Sequence, residues 1–415
     1  MREKCAPFPR ARSASLHHLL LVTLNQVIEA HTSKPHSAGA EVSNASHHPS
    51  IPRLATMPSE AVSSKRDPRI DVLRGMALLM IFVDHIPGNV LSLVTLRNFG
   101  FSDAAEVFVL LAGMSSMMAY GKAFERDGAL GGLHRIILRC ARLYLFQIGL
   151  LLTTLVVVLL WTAPCVAPIL NAPLAGLLRG LTLQAVPNYL DILPLYLVLL
   201  AAFPLVYVGL RLNPWVALGL SAALWLTANL DPSLNLPNWI DGGRWFFNPF
   251  AWQFLFTIGA AFALLAAAHG DMVPWARWAA WLCAAYLGFA FLESAPWADW
   301  HLPDLEPFAL ATPDKTQLAA LRLLNILALA YLLLSSAWLR ALAGVRILRP
   351  LEVCGRHSLE VFAVGCIVAL FGRLLFRTYG AGLETQIAIN VIGIAMMYLA
   401  GMCLEKARML AKARN

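Results

Sequence analysis

The sequence predicts an all-α fold: a polytopic integral membrane protein of about ten transmembrane helices, each needing about 20 apolar residues to cross about 30 Å of hydrocarbon, with both termini cytoplasmic. Three observations predict it. The 415 residues are 59% apolar and only 13% charged, whereas a soluble domain carries about 25% charged residues. The apolar residues gather into runs of span length separated by short polar segments. Lys and Arg concentrate in alternate connections, which is the bias that orients membrane helices.

Residues 1–65 differ in kind, being rich in Ser, His, Ala and Pro. Their one apolar stretch, Leu16 to His31, is broken by Asn25, Gln26 and Glu29, and a secretory signal needs an unbroken apolar core. The segment reads as a disordered extension, or as a coding sequence called too long with the true start at Met57. Residues 66–405 form the membrane domain, and 406–415 a basic cytoplasmic tail. Within the domain the apolar runs fall at 70–92, 103–121, 136–162, 189–210, 214–230, 248–268, 275–293, 317–339, 352–375 and 383–404. The stretch from Pro164 to Gln184 is interrupted by Pro164, Pro168, Asn171 and Pro173, so it reads as a loop or a re-entrant piece packed against protein or water.

Basic clusters precede the first run (Lys65, Arg66, Arg69), separate the second from the third (Lys122, Arg126, Arg135, Arg139, Arg142), separate the eighth from the ninth (Arg340, Arg346, Arg349, Arg356), and follow the tenth (Lys406, Arg408, Lys412, Arg414). With ten spans all four fall on one side, the cytoplasmic one. The net charge of +8 is thus topological; no continuous basic face exists for nucleic acid. Trp239, Trp245, Trp297 and Trp300 on the opposite side fit an interfacial belt or stacking on sugar rings. The seven cysteines show no metal-binding spacing and read as small buried hydrophobes.

The chemistry lies in the first two runs. His85 follows Arg74 by eleven residues, about 16 Å along a helix. With Arg74 at the cytoplasmic edge, His85 is expected near mid-membrane, where an ionisable group marks a site or pathway; the plainer reading is a His hydrogen-bonded between helices. Asp84 beside it calls for a polar or hydrated cavity. Asp103 and Glu106, at i and i+3, share a helix face; Asp103 or Ser102 caps the second helix, and the deeper Glu106 is expected to accept the other ring N–H of His85. Asn89, just after Pro87 and Gly88, contacts an acceptor or caps the turn. Arg135, Arg139 and Arg142 make a basic stripe, either an anchor or a phosphate grip.

The run from Arg69 to Gly121, with RIDVLRG, FVDHIPGN and FGFSDAAEVFVLLAG, resembles the OpgC family of bacterial membrane proteins that modify osmoregulated periplasmic glucans. NYLDILPLYLVLL, FNPFAWQFLFTIGA, DKTQLAALRLLNILALAYL and GRHSLEVF agree with it in order. The chain is also close to the wider membrane acyltransferase-3 superfamily, with Arg74 to His85 matching its Arg-to-His spacing and Arg139 with Arg142 its Arg-x-x-Arg pair; Ala112 departs from that superfamily by standing where Ser is usual. The resemblance implies a bacterial inner-membrane O-acyltransferase moving a succinyl or other short acyl group from cytoplasmic succinyl-CoA, or another acyl-CoA, to a glucan on the periplasmic side. No permanently bound cofactor and no metal is implied. His85 is then the general base, Glu106 orients it, Arg139 and Arg142 hold donor phosphates, and Arg74 lines the donor's path. Arg74, Arg179 or Arg244 would meet a succinyl carboxylate. Two alternatives stay open: a proton-coupled transporter, although residues 70–230 and 248–404 show no internal repeat, and an acetyltransferase for another surface polysaccharide.

Overall fold

The computed structural model describes residues 67–161, 172–240, 243–269, 274–336, 341 and 345–414. The N-terminal extension, Cys5, Cys165, Arg340 and the first part of the Pro164–Gln184 stretch lie outside the described residues.

Helix α1 spans Pro68–Asp84. Asp67 caps it by accepting from the Arg69 N–H at 2.9 Å, and Pro68 fills the first turn, where its missing N–H costs nothing. Arg69 does not face a loop as a topological cation. It is 5% exposed, folds back on Asp67 and donates to the Leu334 carbonyl at 2.8 Å. α1 stops at Asp84, earlier than the apolar run predicts, with His85 as its C-cap. The next residues, Pro87 and Gly88 (φ +81°), suit a turn rather than a helix, and short 3₁₀ turns follow at Val90–Val94 and Leu96–Asn98.

α2 (Ala104–Ser116) begins with a full capping box, Asp103 accepting from backbone and Glu106 reaching back to the Asp103 N–H, as the capping reading expects. It runs through a π turn at Met117–Gly121 into α3 (Lys122–Leu160), which bends at Gly128 (φ +72°). Gly128 is not helical (φ +72°, ψ −176°), so the second and third runs are two helices joined there, and the chain returns to bring Arg139 near Tyr120. α4 (Pro173–Leu181) is a short helix within the predicted loop or re-entrant stretch. α5 (Ile192–Leu212), α6 (Pro214–Leu230), α7 (Pro249–His269), α8 (Arg277–Ser294) and α9 (Ala320–Ser335) follow, with a two-residue β-hairpin pairing β1 (Pro237–Asn238) against β2 (Gly243–Arg244) before α7. The ninth run divides at His357 into α10 (Arg349–Arg356) and α11 (Ser358–Tyr379). α12 (Leu383–Arg414) carries the basic tail onward as helix.

Each of the ten apolar runs contains a described helix. Among the described residues, five helical segments are long and apolar enough to cross a membrane by length and composition: Ala104–Leu160, Ile192–Leu212, Pro249–Ala268, Ser358–Tyr379 and Leu383–Arg414. The core is aromatic and aliphatic, with Phe82, Phe203, Trp252 and Phe256 fully enclosed. Two seams of small residues bring helix backbones together, the packing mode that replaces the hydrophobic drive in lipid. A Cβ on Gly75 of α1 would strike the Leu351 carbonyl of α10, and one on Gly355 would strike the Asp71 carbonyl. Gly113 of α2 meets Phe256 of α7, and Gly259 of α7 meets Leu110, in the same reciprocal way. Trp245 and Trp297, expected in an interfacial belt, are instead buried; their indole N–H groups donate to Leu183 and Leu292 carbonyls. Burial with a satisfied N–H accounts for both.

Candidate active site

His85 sits where α1 gives way to the irregular segment, held by contacts from two other parts of the chain. Its carbonyl accepts from Arg373 of α11 at 2.8 Å. Its ring meets Tyr189 edge-on, with centroids 5.0 Å apart, and the Arg373 guanidinium lies 4.3 Å from the centre of that same tyrosine ring. Tyr189 holds a left-handed backbone (φ +73°), which costs of order 1 kcal/mol or more and persists only where surroundings fix it. Here the Asp191 carboxylate fixes it, accepting from the Tyr189 N–H at 3.0 Å. His85 Nδ1 is buried with no hydrogen-bond partner. Such an atom costs free energy unless something else uses it.

The contacts of this group give its position along α11. Arg373 lies six residues before the end of α11, so His85 is level with a point about 9 Å below that end. Asn89 agrees: it exchanges two amide hydrogen bonds with Asn390, seven residues into α12. Asn89 also accepts from the Leu91 N–H at 3.2 Å, so it caps the turn, as one of the two readings held.

Glu106 does not orient His85. It is 0% exposed and accepts from Arg322 Nε at 2.7 Å and from the Asp103 N–H at 2.8 Å. Asp103 in turn accepts from Lys315 Nζ at 2.5 Å and from Arg322 at 3.2 Å. Two carboxylates and two cations thus form a closed network, the arrangement a buried charge needs. The short i to i+3 spacing, which suggested a reach toward His85, instead serves the capping box and α9. Asp84 accepts from Thr95 Oγ1 at 2.7 Å. Asp103 and Lys315 lie within electrostatic reach of both Asp84 and His85, so the network and the histidine share one region.

The three arginines of the sequence reading belong to the other end of α1. Arg74 donates to the Leu111 carbonyl at 3.1 Å and to Ser115 Oγ; Ser115 is one helical turn beyond Ala112, so a hydroxyl is present although not at the usual position. Arg74 and Arg139 both act electrostatically on Tyr120, which places them in one neighbourhood. Arg142, half exposed, pairs with Glu360 near the start of α11. Arg142 is therefore separated from His85 by most of the length of α11. At this same end Arg356 binds Glu352, Glu405 and, at 4.0 Å, Asp71. The other cations suggested for a carboxylate are occupied: Arg179 lies 4.4 Å over Trp239, and Arg244 donates to Ser233 and Asn235 carbonyls.

Arg373 and Tyr189 are residues that motif reasoning missed. The signal for Arg373 was present, since it is a charge inside the apolar run 352–375 and charges at such positions mark sites. Tyr189 gave none, because its strain shows only in the backbone.

Beyond His85, at the same end of the bundle, a cleft of about 360 Å³ opens between the 96–103 segment, the end of α8 and the loop before α9, lined among others by Arg97, Asn98, Asp103, Glu306 and Arg322. Glu293 builds its wall, accepting the N–H groups of Phe308 and Leu310 at 2.6 and 2.9 Å.

A family model described as OpgC protein matches residues 66–409. No curated protein and no solved structure matches the chain.

Proposed function

Because the chain belongs to the OpgC family, we propose that it is a multi-pass inner-membrane O-acyltransferase. It transfers a succinyl or other short acyl group from cytoplasmic acyl-CoA to a hydroxyl of a periplasmic glucan. Ten spans and cytoplasmic termini complete the reading. The Asp84 end of the bundle then faces the periplasm, and the Arg142–Arg356 end faces the cytoplasm.

The observation that carries the proposal is His85, whose buried Nδ1 has no partner while Tyr189 and Arg373 pack around the residue. A sugar hydroxyl is a weak nucleophile at neutral pH and needs a base within hydrogen-bond reach. In the proposed step His85 takes the hydroxyl proton as the oxygen attacks the thioester carbonyl. The tetrahedral centre collapses, the C–S bond breaks, and the imidazolium returns the proton to the departing coenzyme A sulfur. Arg373 locks the His85 backbone and brings a positive charge to the region where the carbonyl oxygen becomes an oxyanion. Its charge also suits a succinyl carboxylate. Arg74, Arg139 and Arg142 act on the donor from the cytoplasmic end, where they meet its phosphates and line its path.

The test is replacement of the native gene by His85→Ala. Periplasmic glucans from that strain should carry no acyl substituent by mass spectrometry, with the protein present at wild-type level in the membrane. Fully substituted glucans would end the general-base assignment.

A further inference from the structure

We propose that the cleft at the Asp84 end is the acceptor site, shaped for a neutral gluco-oligosaccharide; the identity of the ligand rests on the acyltransferase reading above. A polyol presents donors and acceptors in every direction together with apolar C–H faces, so its site needs both polar kinds and an aromatic surface. The cleft has them. Arg97 and Arg322 supply donors, Asp103 and Glu306 acceptors, and Asn98 either. Much of the charge is spent within the protein: Arg322 on Asp103 and Glu106, Glu293 on two loop N–H groups. Arg97 and Glu306 remain exposed at the cleft.

Two further observations point to a ligand. The Asn325 Nδ2 atom is buried and unpartnered, while its amide oxygen is taken by Ser102 N–H and Oγ–H. It abuts Gly100 of the cleft lining, where a Cβ would stand only 2.8 Å from it, so only Gly100 separates this buried donor from the cleft. Phe99, next to Gly100, is stacked on Phe291 at 5.8 Å and 11° and flanked by Trp300 at 5.7 Å, yet it is 42% exposed. A braced, part-exposed aromatic ring between two cleft residues in sequence, Asn98 and Gly100, is a platform for a pyranose face. The surplus of carboxylates around the cleft disfavours a phosphate, and the ion pairs disfavour an acyl chain.

The backbone ties the cleft to the chemistry: Asp84, next to His85, accepts from Thr95 Oγ1 at 2.7 Å, and Arg97, two residues on, lines the cleft. A glucan held here would present a hydroxyl toward His85 from the side opposite the donor.

The experiment uses the full chain in lipid nanodiscs, free of glycoside detergent, and unsubstituted glucan purified from a strain lacking the gene. Isothermal titration should give a Kd that rises at least about tenfold for Arg97→Ala and for Phe99→Ala, the loss of one charge-assisted hydrogen bond or one stacking contact. Both side chains are exposed, so folding is spared, and the KM for glucan should rise in parallel. His85→Ala should abolish transfer and keep the wild-type Kd. Unchanged Kd and KM in both cleft variants would overturn the acceptor site and leave the acyltransferase reading standing. Weakened binding in the variants of a wild-type protein that never transfers an acyl group would uphold the cleft as a glucan site and remove the acyltransferase reading.

Discussion

At the scale of single residues, charge decides which positions tolerate change. The Arg322 side chain is 7% exposed and compensates both Asp103 and Glu106. Removing one partner of a buried ionic group costs about 3–5 kcal/mol, so Arg322→Met should lower thermal stability by that order. Adding Glu106→Gln should recover part of the loss, because the second substitution removes the stranded charge. A thermal-melt comparison of the single and double variants checks both statements, and equal destabilisation would show that the pair is not coupled. Arg373→Met is expected to act differently. The protein should remain folded while transfer falls at least about tenfold, the effect of losing one electrostatic stabiliser at a reacting carbonyl. A single-turnover acyl-transfer assay reads this directly. Asp103 as a helix cap was legible from its position before an apolar run. Glu106 was assigned to the wrong partner because a sequence cannot show that Arg322, more than two hundred residues away, arrives first.

At the scale of elements, helices were legible and their ends were not. Apolar runs locate α1 and α11, but the run around α1 continues past Asp84 in composition while Pro87 and Gly88 end it in structure. The break at His357 within the ninth run shows only in the backbone, where one helix ends at Arg356 and the next begins at Ser358. Close packing was equally invisible, since a glycine in a helical pattern reads the same whether it faces lipid or a neighbouring backbone. The structure separates the two cases. Gly75→Ala should destabilise the protein, because its Cβ would overlap the Leu351 carbonyl. Gly149→Ala, which meets open space, should be neutral or stabilise by up to about 1 kcal/mol through helix propensity. Melting temperatures of the two variants in one detergent check the contrast.

At the scale of the molecule, the family blocks that lie far apart in sequence converge. FVDH, SDAAE, NYLD, FNPFAW and DKTQ supply His85, Asp103, Tyr189, Trp252 and Lys315, and Trp252 Nε1 donates to the Lys315 carbonyl at 3.1 Å. GRHSLEVF supplies Arg356 and Glu360 to the opposite end. The proposed orientation predicts opposite accessibility for these ends. In intact cells, Thr312→Cys should react with a membrane-impermeant maleimide, and Arg408→Cys should react only after permeabilisation. The reverse pattern would invert the topology.

The paired glycine seams bear on how such a molecule works. A carrier that alternates its access swings one helix bundle against another, and its sliding surfaces need side chains that slip past each other. Here α1 with α10 and α2 with α7 meet backbone to backbone, each glycine seated against a carbonyl of its partner. Such contacts interlock in one register, as a key seats in its wards, and an offset of a few ångströms would put side chains where only hydrogen fits. These contacts leave little room for α1 to slide on α10, or α2 on α7.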